Sequence, residues 1–241
     1  MRGAFRLLKA LVSQQGQVSR TQPENPARSR VMLEWGRVAM SFGSTSERYK
    51  LSFSVGRLYL EFAPLAARLY THHRDWAAVR SEIDASNLLQ ARTVSSAKRN
   101  SQELVQRLQK LTDSEVELLI DATADERAQL MWVATCRRYA LIAEFAEEVL
   151  RERYLLMARD IQLEDFDAFL RGKALWHPEL EKLANSTLLK LRSTLYLMMR
   201  EADFITANGT IVPAIISARV RGELAKRTPS DLRLFATRET V

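Results

Sequence analysis

Apolar residues recur every three to four positions along most of the chain from Ser54 onward, and this period predicts a mainly helical protein. The clearest apolar stripe runs along residues 94–111. Its members are Val94, Ala97, Ser101, Leu104, Val105, Leu108 and Leu111. A single, nearly continuous helix is predicted over 125–157. Further helices are predicted over 54–62, 64–72, 75–86, 113–121, 163–173, 178–184, 187–202 with Ser186 as N-cap, and 217–226.

One segment departs from the helical period. Phe204-Ile205-Thr206 and Ile211-Val212 flank Asn208-Gly209, a pair that supplies the positive φ angles of a type I′ turn. The sequence therefore predicts a short β-hairpin, which Pro213 ends. Residues 163–213 then have the element order of a winged helix: a helix, a short helix, a longer helix and a hairpin.

These elements predict a mainly α fold, a helical bundle with two helix-turn-helix-like units, of which the second is winged by the short β-hairpin. Met40 is a second candidate start, so residues 1–39 are expected to be either an upstream extension or a mobile basic arm. The predicted segments are a basic extension and linker over 1–48, a helical unit with a helix-turn-helix over 49–121, a long connecting helix over 122–160, a winged-helix-like unit over 161–227 and a tail over 228–241.

Charge is distributed unevenly along the chain. The net charge is +7, and residues 1–39 hold seven Arg or Lys against two Glu. Residues 87–111 and 217–238 are also rich in Arg and Lys, whereas residues 112–126 hold six acids and no base. A basic balance favours polyanionic partners, although charge runs of this kind are also typical of plain solvated surfaces.

Composition and motifs supply no candidate for catalysis. The chain lacks a Gly-rich phosphate loop, a GxSxG turn and an HExxH pair. Its one cysteine, Cys136, excludes a disulfide framework, and we expect it to be a packing residue in a reducing cytoplasm. The sequence has no apolar run long enough to predict a transmembrane helix. We therefore expect no catalytic residue, metal ion, cofactor, membrane or small-molecule substrate.

Three groups of titratable residues have structural interpretations that need no ligand. They are the histidines His72, His73 and His177, the acids Glu164, Asp165 and Asp167, and the acids Glu144, Glu147 and Glu148 near Arg151. Adjacent histidines on a helix point about 100° apart, so we expect surface or cap residues. The second group suits the first turn of a helix, and the third can pair with the arginine one turn away.

The first candidate binding element is the helix 75–86, the connection 87–92 and the helix 94–111. Opposite its apolar stripe, the second helix carries guanidinium, amide, hydroxyl and ammonium groups, which can contact phosphates and base edges of DNA. A helix N-terminus also offers free amide N–H groups to a phosphate. The predicted DNA-binding residues here are Arg92, Thr93, Ser95, Ser96, Lys98, Arg99, Gln102, Gln106 and Lys110. The alternative is a plain solvated face.

The second candidate binding element is residues 163–213. In the helix 187–202 the apolar stripe comprises Leu188, Leu191, Leu195, Met198 and Ala202. The predicted DNA-binding residues are Lys190, Arg192, Ser193 and Arg200, with Asn208 near the hairpin tip. However, further apolar residues make this helix apolar almost all round, so it is alternatively a core element or a surface for a protein partner. These residues are Leu189, Tyr196, Leu197 and Met199.

Six short motifs follow one another along the chain: Tyr49-Lys50-Leu51-Ser52-Phe53, Asn87-Leu88-Leu89-Gln90-Ala91-Arg92, Ser95-Ser96-Ala97-Lys98-Arg99, Cys136-Arg137-Arg138-Tyr139, Glu164-Asp165-Phe166 and Trp176-His177-Pro178-Glu179-Leu180. In this order and spacing, over roughly residues 48–216, they resemble the BrxA family of BREX (bacteriophage exclusion) systems. The resemblance implies a cytoplasmic, helical, non-enzymatic DNA-binding protein. It also implies BREX partners: an ATPase, a DNA methyltransferase, a phosphatase-like protein and a Lon-like protease. The second and third motifs fall on the first binding element.

The sequence thus predicts a non-catalytic protein that binds double-stranded DNA through helix-turn-helix elements with weak sequence preference. Two alternatives stay open. The first is RNA binding in the style of the helical antitermination factor NusB, to which the family is also likened. The second is an assembly adaptor that holds partner proteins through the apolar helix 187–202 and the acidic segment 112–126.

Overall fold

A computed structural model of the protein describes residues 48–54 and 57–238, and this part of the chain is mainly helical. The α-helices are α1 (Ala63–His73), α2 (Trp76–Ala85), α3 (Val94–Leu108), α4 (Asp113–Leu118), α5 (Ala124–Arg138), α6 (Ala140–Phe145), α7 (Glu152–Leu155), α8 (Leu163–Ala174), α9 (Pro178–Glu181), α10 (Asn185–Glu201) and α11 (Ala218–Leu224). A π-helix, Ala146–Arg151, joins α6 to α7, and 3-10 turns cover Ser52–Ser54 and Asp231–Leu234.

Short polar side chains begin several of these helices by satisfying N–H groups that have no partner within the helix. Thr112 accepts a hydrogen bond from the backbone N–H of Glu115, whose carboxylate accepts one from the backbone N–H of Thr112. Thr123 and Glu126 form the same reciprocal capping box at the start of α5. Ser217 caps α11 as predicted. α10, in contrast, begins after Ala184 without a side-chain cap, so the predicted cap Ser186 is wrong.

The single long helix predicted over 125–157 is interrupted. At Tyr139 the backbone is extended, with φ −125° and ψ 95°, and this residue separates α5 from α6. The Tyr139 ring is fully buried, and its hydroxyl donates to the carboxylate of Glu103 on α3 at 2.7 Å. The break follows from a tertiary contact that helical periodicity does not encode. The helix predicted over 54–62 is also absent from the described residues there, which include Tyr59 at φ 58°.

The predicted β-hairpin wing is not supported. The described residues contain no β-strand, and the chain around Gly209 makes only two isolated antiparallel bridges, Ile205 to Ile211 and Asp160 to Thr210. The chain does reverse direction here, since the Thr206 N–H donates to the Thr210 carbonyl at 2.9 Å. However, the Ile211 N–H donates to Arg159, and Gly209 accepts from Ile161. A second segment therefore takes the backbone groups that a longer hairpin would need.

Buried apolar residues from every part of the described chain join in one core, within a compact unit over residues 47–241. The C-terminal tail, which has no clear hydrophobic period, contributes Leu232, Leu234 and Phe235 to it. The indole N–H of Trp132 donates to the Leu234 carbonyl at 3.0 Å. The subdivision into segments stays a prediction, and the interpretations of residues 1–47 lie outside the described residues. In the described part, no helix is both long and apolar enough to span a bilayer.

Candidate nucleic-acid interface

α3 has one buried and one exposed side, as its amphipathic pattern predicts. The buried residues are Ser101, Glu103, Leu104, Val105, Arg107 and Leu108. At the N-terminal end the pattern fails, because Val94 is 73% exposed and Ala97 is only half-buried. The exposed face opposite the core carries Ser95, Arg99 and Gln102, which are spaced so that they share one side of the helix.

A buried ion pair holds α3 against the rest of the molecule. Arg107 is fully buried, and its Nε donates to the Glu103 carboxylate at 2.7 Å. Its Nη1 donates to the Arg57 carbonyl at 2.9 Å and to the Thr135 hydroxyl at 3.3 Å. The guanidinium also lies 5.4 Å from the ring centre of Tyr59, whose pKa burial raises to about 12. Arg107 therefore fixes the helix and does not belong to the basic surface that the charge count of 87–111 suggested.

The connection that leads into α3 is held by Asn87. The Asn87 side-chain oxygen accepts a hydrogen bond from the Ala91 N–H at 3.1 Å, and Asn87 itself has φ 44°. Thr93 then caps α3 by accepting from the Ser96 N–H at 3.2 Å. The connection covers residues 86–93, which is longer than the three or four residues typical of a helix-turn-helix. The helix-turn-helix assignment stays a prediction.

Most predicted residues of the first element are exposed. Those that are exposed and make no side-chain hydrogen bond or ion pair within the described part of the chain are Arg92, Ser95, Lys98, Arg99, Gln102 and Lys110. The Thr93 and Ser96 hydroxyls are exposed but bonded to each other at 2.9 Å in the cap. Gln106 is half-buried, and its side-chain oxygen accepts from Arg138, so its carbonyl is engaged inside the protein.

The predicted DNA-binding residues of the second element, 163–213, are less exposed than those of the first. Lys190 and Asn208 are exposed. Arg192 is half-buried and pairs with Asp167 at 2.5 Å. The Ser193 hydroxyl donates to the Lys190 carbonyl at 3.0 Å, and Arg200 is half-buried. Six of the seventeen residues of α10 are buried, so one side of this helix belongs to the core. The buried residues are Leu191, Thr194, Leu195, Tyr196, Met198 and Met199.

The basic residues of 217–238 are largely neutralised by acids within the chain. Arg219 donates to the carboxylates of Glu126 at 2.7 Å and Asp121 at 3.1 Å, and Lys226 pairs with Glu223 at 2.6 Å. The hydrogen bonds from Arg219 hold the pKa of the Glu126 carboxyl well below its usual range. Arg233 pairs with Glu147 at 2.7 Å. This surface therefore offers less free positive charge than composition suggests.

The acidic segment 112–126 is likewise engaged internally. Glu115 is 1% exposed and binds both terminal nitrogens of Arg137 at 2.5 and 2.6 Å. Glu117 pairs with Arg74 at 3.2 Å, and Asp113 accepts from the Tyr70 hydroxyl at 3.1 Å. The adaptor alternative, which used this segment as a free acidic surface, therefore loses one of its two supports.

Several of the other titratable groups have structural partners. His177 lies at the N-cap position of α9, one of the two expected positions, but it is buried, and its ring centre lies 3.8 Å from that of Tyr49 in a stacked arrangement. Glu148 pairs with Lys173 at 2.6 Å. Cys136 is buried in α5, and burial raises the pKa of its thiol. Within the described residues, no group of three or more His, Cys, Asp or Glu side chains is arranged to hold a metal ion.

Sequence analysis identified only the segment 187–202 as a candidate apolar surface, whereas most of the exposed apolar side chains lie elsewhere. Seven of the ten large apolar side chains exposed in the described part of the chain lie within residues 155–189. They are Leu155, Leu156, Met157, Leu163, Leu175, Trp176 and Leu189. A groove of about 690 Å³ lies between α8, α9 and α10, with Leu170, Leu180 and Leu188 among its lining residues. The all-round apolar character of 187–202 signalled only Leu189 among these seven side chains.

Comparison with known proteins places this architecture in a family. A family model described as BrxA matches residues 47–228. The chain is similar to the "BREX protein BrxA" of Paramagnetospirillum magneticum, with 25% identity over 177 residues, covering 73% of this chain and 88% of that protein. It is also similar to the "BREX protein BrxA" of Escherichia coli O9:H4, with 24% identity over 150 residues, covering 62% of this chain and 70% of that protein.

The fold is also similar to a solved structure. The crystal structure of an uncharacterized protein from Magnetospirillum magneticum superposes with a TM-score of 0.68 at 22% sequence identity. The match covers 78% of this chain and 99% of that protein. At this identity the likeness concerns the fold alone.

Proposed function

The chain belongs to the BrxA family of BREX phage-defence systems, and on that premise we propose that it is a non-catalytic, cytoplasmic component that binds double-stranded DNA. The binding element is α3 together with α2 and their connection, used as a helix-turn-helix-like unit. No cofactor, metal ion or small-molecule substrate takes part. Other BREX proteins, namely the ATPase, the methyltransferase, the phosphatase-like protein and the Lon-like protease, are its partners in the system.

The observation that carries this proposal is the unneutralised charge of α3 and its flanks. Arg92, Lys98, Arg99 and Lys110 are exposed and have no ion-pair partner in the described part of the chain. By contrast, several basic residues elsewhere in the protein are already bound to carboxylates. Free guanidinium and ammonium groups that follow one helix can replace the counterions of a DNA backbone.

The arrangement of α3 suits a duplex groove. The helix has a polar face of Ser95, Arg99 and Gln102 along about two turns, and its other side is anchored in the core by Arg107. A rigid helix with one polar face is what a major groove accommodates. Arginine and glutamine can contact base edges, whereas lysine and serine contact phosphates. The backbone N–H groups of the first turn and the positive end of the helix dipole can also bind a phosphate.

The test is a competition experiment. The full chain is titrated with a labelled DNA duplex, and unlabelled duplex DNA and a structured RNA of equal charge compete for it at several salt concentrations. We expect the DNA to compete more effectively and the observed affinity to fall linearly on a log–log plot against salt. Stronger competition by the RNA would favour the antitermination-like alternative. Lack of binding to either nucleic acid would overturn the proposal.

A second candidate function, assembly with other BREX proteins, is favoured by the exposed apolar side chains within residues 155–189. Co-purification of one of the four BREX partners should persist after nuclease treatment, because the contact does not require DNA. It should be lost in Leu189→Asp, which places a charge at a site that is 54% exposed beside the α8–α10 groove. Persistence of the complex in that variant would exclude this surface.

A further inference from the structure

A second groove, of about 570 Å³, lies between α8 and the helical stretch that the π-helix and α7 form. Val149, Glu152 and Leu156 line one wall at i, i+3 and i+7, which is the spacing of one helix face. Asp165 and Phe169 line the other wall from α8. Seven residues of helix span about 10 Å, so the groove is about two helical turns long.

Large apolar side chains at this groove are exposed. Leu156, which lines the groove, is 77% exposed, and the adjacent Met157 is 69% exposed. Val149 is half-buried, and Phe169 is buried, so the apolar lining continues from the surface into the core. Clustered exposed apolar groups in a groove are typical of a surface that binds another molecule.

The backbone of one groove wall is unusual, which is an independent observation on the same place. Ala146–Arg151 is a π-helix, a rare conformation that occurs frequently at functional sites. Its Ala146 and Leu150 are buried, whereas Val149 lies in the groove. The core therefore holds one side of the π-helix, and its other side contributes to the groove.

The surroundings of this groove are acidic, although the whole chain has a net charge of +7. Residues 147–165 hold six acids and three bases. Glu152 in the groove and Glu164, which precedes a lining residue of α8, are exposed and have no ion-pair partner in the described part of the chain. Arg153 is bound to a carboxylate of α8, and the exposed Arg159 does not line the groove. This charge disfavours a nucleic acid and favours a cationic partner.

We propose that this groove binds a basic amphipathic helix of a partner protein. A groove two turns long between two helices, with an apolar lining, accommodates a helix that presents apolar residues at i, i+3 or i+4, and i+7. Leu156 then packs against that apolar stripe, and Glu152 and Glu164 meet lysine or arginine residues on its flanks. This inference rests on the second candidate function, assembly with other BREX proteins, and names the chemistry of the partner segment. It does not depend on DNA binding.

The test measures binding of two fluorescently labelled model peptides to the full chain, without DNA or other proteins. Both contain only leucine and lysine in the same numbers. In one peptide the leucines follow the helical spacing and form a single apolar stripe, and in the other the order is scrambled so that no stripe exists. The full chain should bind the amphipathic peptide at least about tenfold more tightly, because only that peptide can bury a leucine stripe on Leu156.

Substitutions locate the binding site. Leu156→Ser should weaken binding of the amphipathic peptide about tenfold or more, because it removes the most exposed apolar side chain of the groove. The matched control is Leu189→Ser, which changes an exposed leucine beside the α8–α10 groove and should alter the affinity less than about twofold.

A second pair of variants tests the acidic rim. Glu152→Gln/Glu164→Gln should weaken binding of the amphipathic peptide roughly two- to fivefold at low salt, and the difference should shrink as salt is added. Glu61→Gln/Glu181→Gln removes the same charge from exposed residues that have no ion-pair partner in the described part of the chain. This control should leave the affinity nearly unchanged.

Each outcome decides the inference. Equal affinity of the wild-type protein for the two peptides would overturn it, and this comparison requires no variant. An equal loss in Leu156→Ser and Leu189→Ser, or no loss in a folded Leu156→Ser protein, would also overturn it, because the peptide would then bind elsewhere. Failure of the assembly function itself is seen in a different experiment, as absence of any co-purifying BREX protein. Duplex DNA binding should be the same in Leu156→Ser and the wild type.

Discussion

Arg99 and Lys110 carry positive charge that no carboxylate in the described part of the chain neutralises. Each phosphate contact that such a side chain makes releases counterions from the DNA. The slope of the logarithm of the binding constant against the logarithm of the salt concentration therefore depends on the number of contacts. The double variant Arg99→Ala/Lys110→Ala should bind duplex DNA more weakly and flatten the slope by roughly 1–2 units. Fluorescence anisotropy at several salt concentrations measures both quantities.

The matched control for that variant is Arg171→Ala/Lys182→Ala, which removes the same charge from exposed residues on α8 and just after α9. It should change the slope by much less than the α3 variant does. Both variants should keep their melting temperature, because exposed substitutions usually cost within about 0.5 kcal/mol. Equal slopes for the wild type and the folded α3 variant would show that this helix does not face DNA.

Glu126 links α5 to α11, and its ionisation should make stability depend on pH. Hydrogen bonds from Arg219 and Ser217 hold its pKa below the usual range. A carboxyl with a lowered pKa stabilises the fold above its unfolded pKa of about 4.3, and this contribution is lost as pH falls below that value. Glu126→Gln keeps the capping interaction but removes the charge, so we expect a melting temperature about 2–4 °C lower at pH 7.

That difference between wild type and Glu126→Gln should shrink as the pH falls from 5 to 3, because the carboxyl of the unfolded chain then takes up a proton while the folded carboxyl, whose pKa is lowered, stays ionised. Arg219 is 38% exposed, which limits the effect through solvent screening. Glu117→Gln, at an exposed ion pair with Arg74, should change the melting temperature much less. A difference for Glu126→Gln that stays constant down to pH 3 would contradict this account.

At the residue scale, the sequence predicted the exposed face of α3 well but not its charges. Arg99 and Gln102 lie opposite an apolar stripe, and a stripe fixes which side meets water. Arg107 is buried because its partners, the Arg57 carbonyl and Thr135, come from distant parts of the chain. Net charge by segment therefore overestimates a basic surface wherever tertiary contacts supply carboxylates.

At the scale of single elements, the turn around Gly209 is held by close backbone approach. Gly209 has φ 85°, and a Cβ atom there would lie 2.3 Å from the Ile161 carbonyl oxygen. Gly209→Ala should therefore destabilise the protein by at least about 2 kcal/mol, since both a left-handed backbone and a clash are imposed. The expected loss in melting temperature is roughly 5 °C or more.

Gly222 provides the matched control for this prediction. It lies within α11, and a Cβ atom there would have nothing within 4 Å. Gly222→Ala should stabilise the protein by about 0.5–1 kcal/mol, because alanine loses less backbone entropy than glycine in a helix. If both variants melted at the wild-type temperature, the close approach of Gly209 to Ile161 would not limit the side chain at position 209, and this explanation would be wrong.

The same turn shows why elements were only partly predictable. The Asn208-Gly209 pair correctly marked a reversal, but only Gly209 has a positive φ, so the predicted type I′ turn is wrong. It did not lead to strands, because residues 159–161 use the neighbouring backbone groups. In the same way, Tyr139 ends α5 through its contact with Glu103, which local periodicity does not encode. Amphipathic helices such as α3 and α8 were predictable because one buried stripe defines them.

At the scale of the whole molecule, ion pairing concentrates the free positive charge. The acidic segment 112–126 and the basic segment 217–238 are bound to each other through Arg219, so much of the chain's charge is internally compensated. The exposed cations of α3 and its flanks have no such ion-pair partner in the described part of the chain, so their positive charge is not compensated. In the described part of the chain, α3 and its flanks therefore present a basic surface, and the DNA affinity of this surface should come mainly from phosphate contacts.

Few groups are available for base reading, and this sets the expected selectivity. On α3 these groups are Arg99 and Gln102, while the half-buried Gln106 and the ion-paired Arg192 are engaged inside the protein. The absent wing removes a second reading element. We therefore expect that no short duplex binds more than about 1,000-fold tighter than scrambled DNA at physiological salt, which is the lower end for specific binders. A selection from random duplexes, followed by direct titration of the best sequence, measures this ratio, and a larger value would require base-reading groups beyond α3.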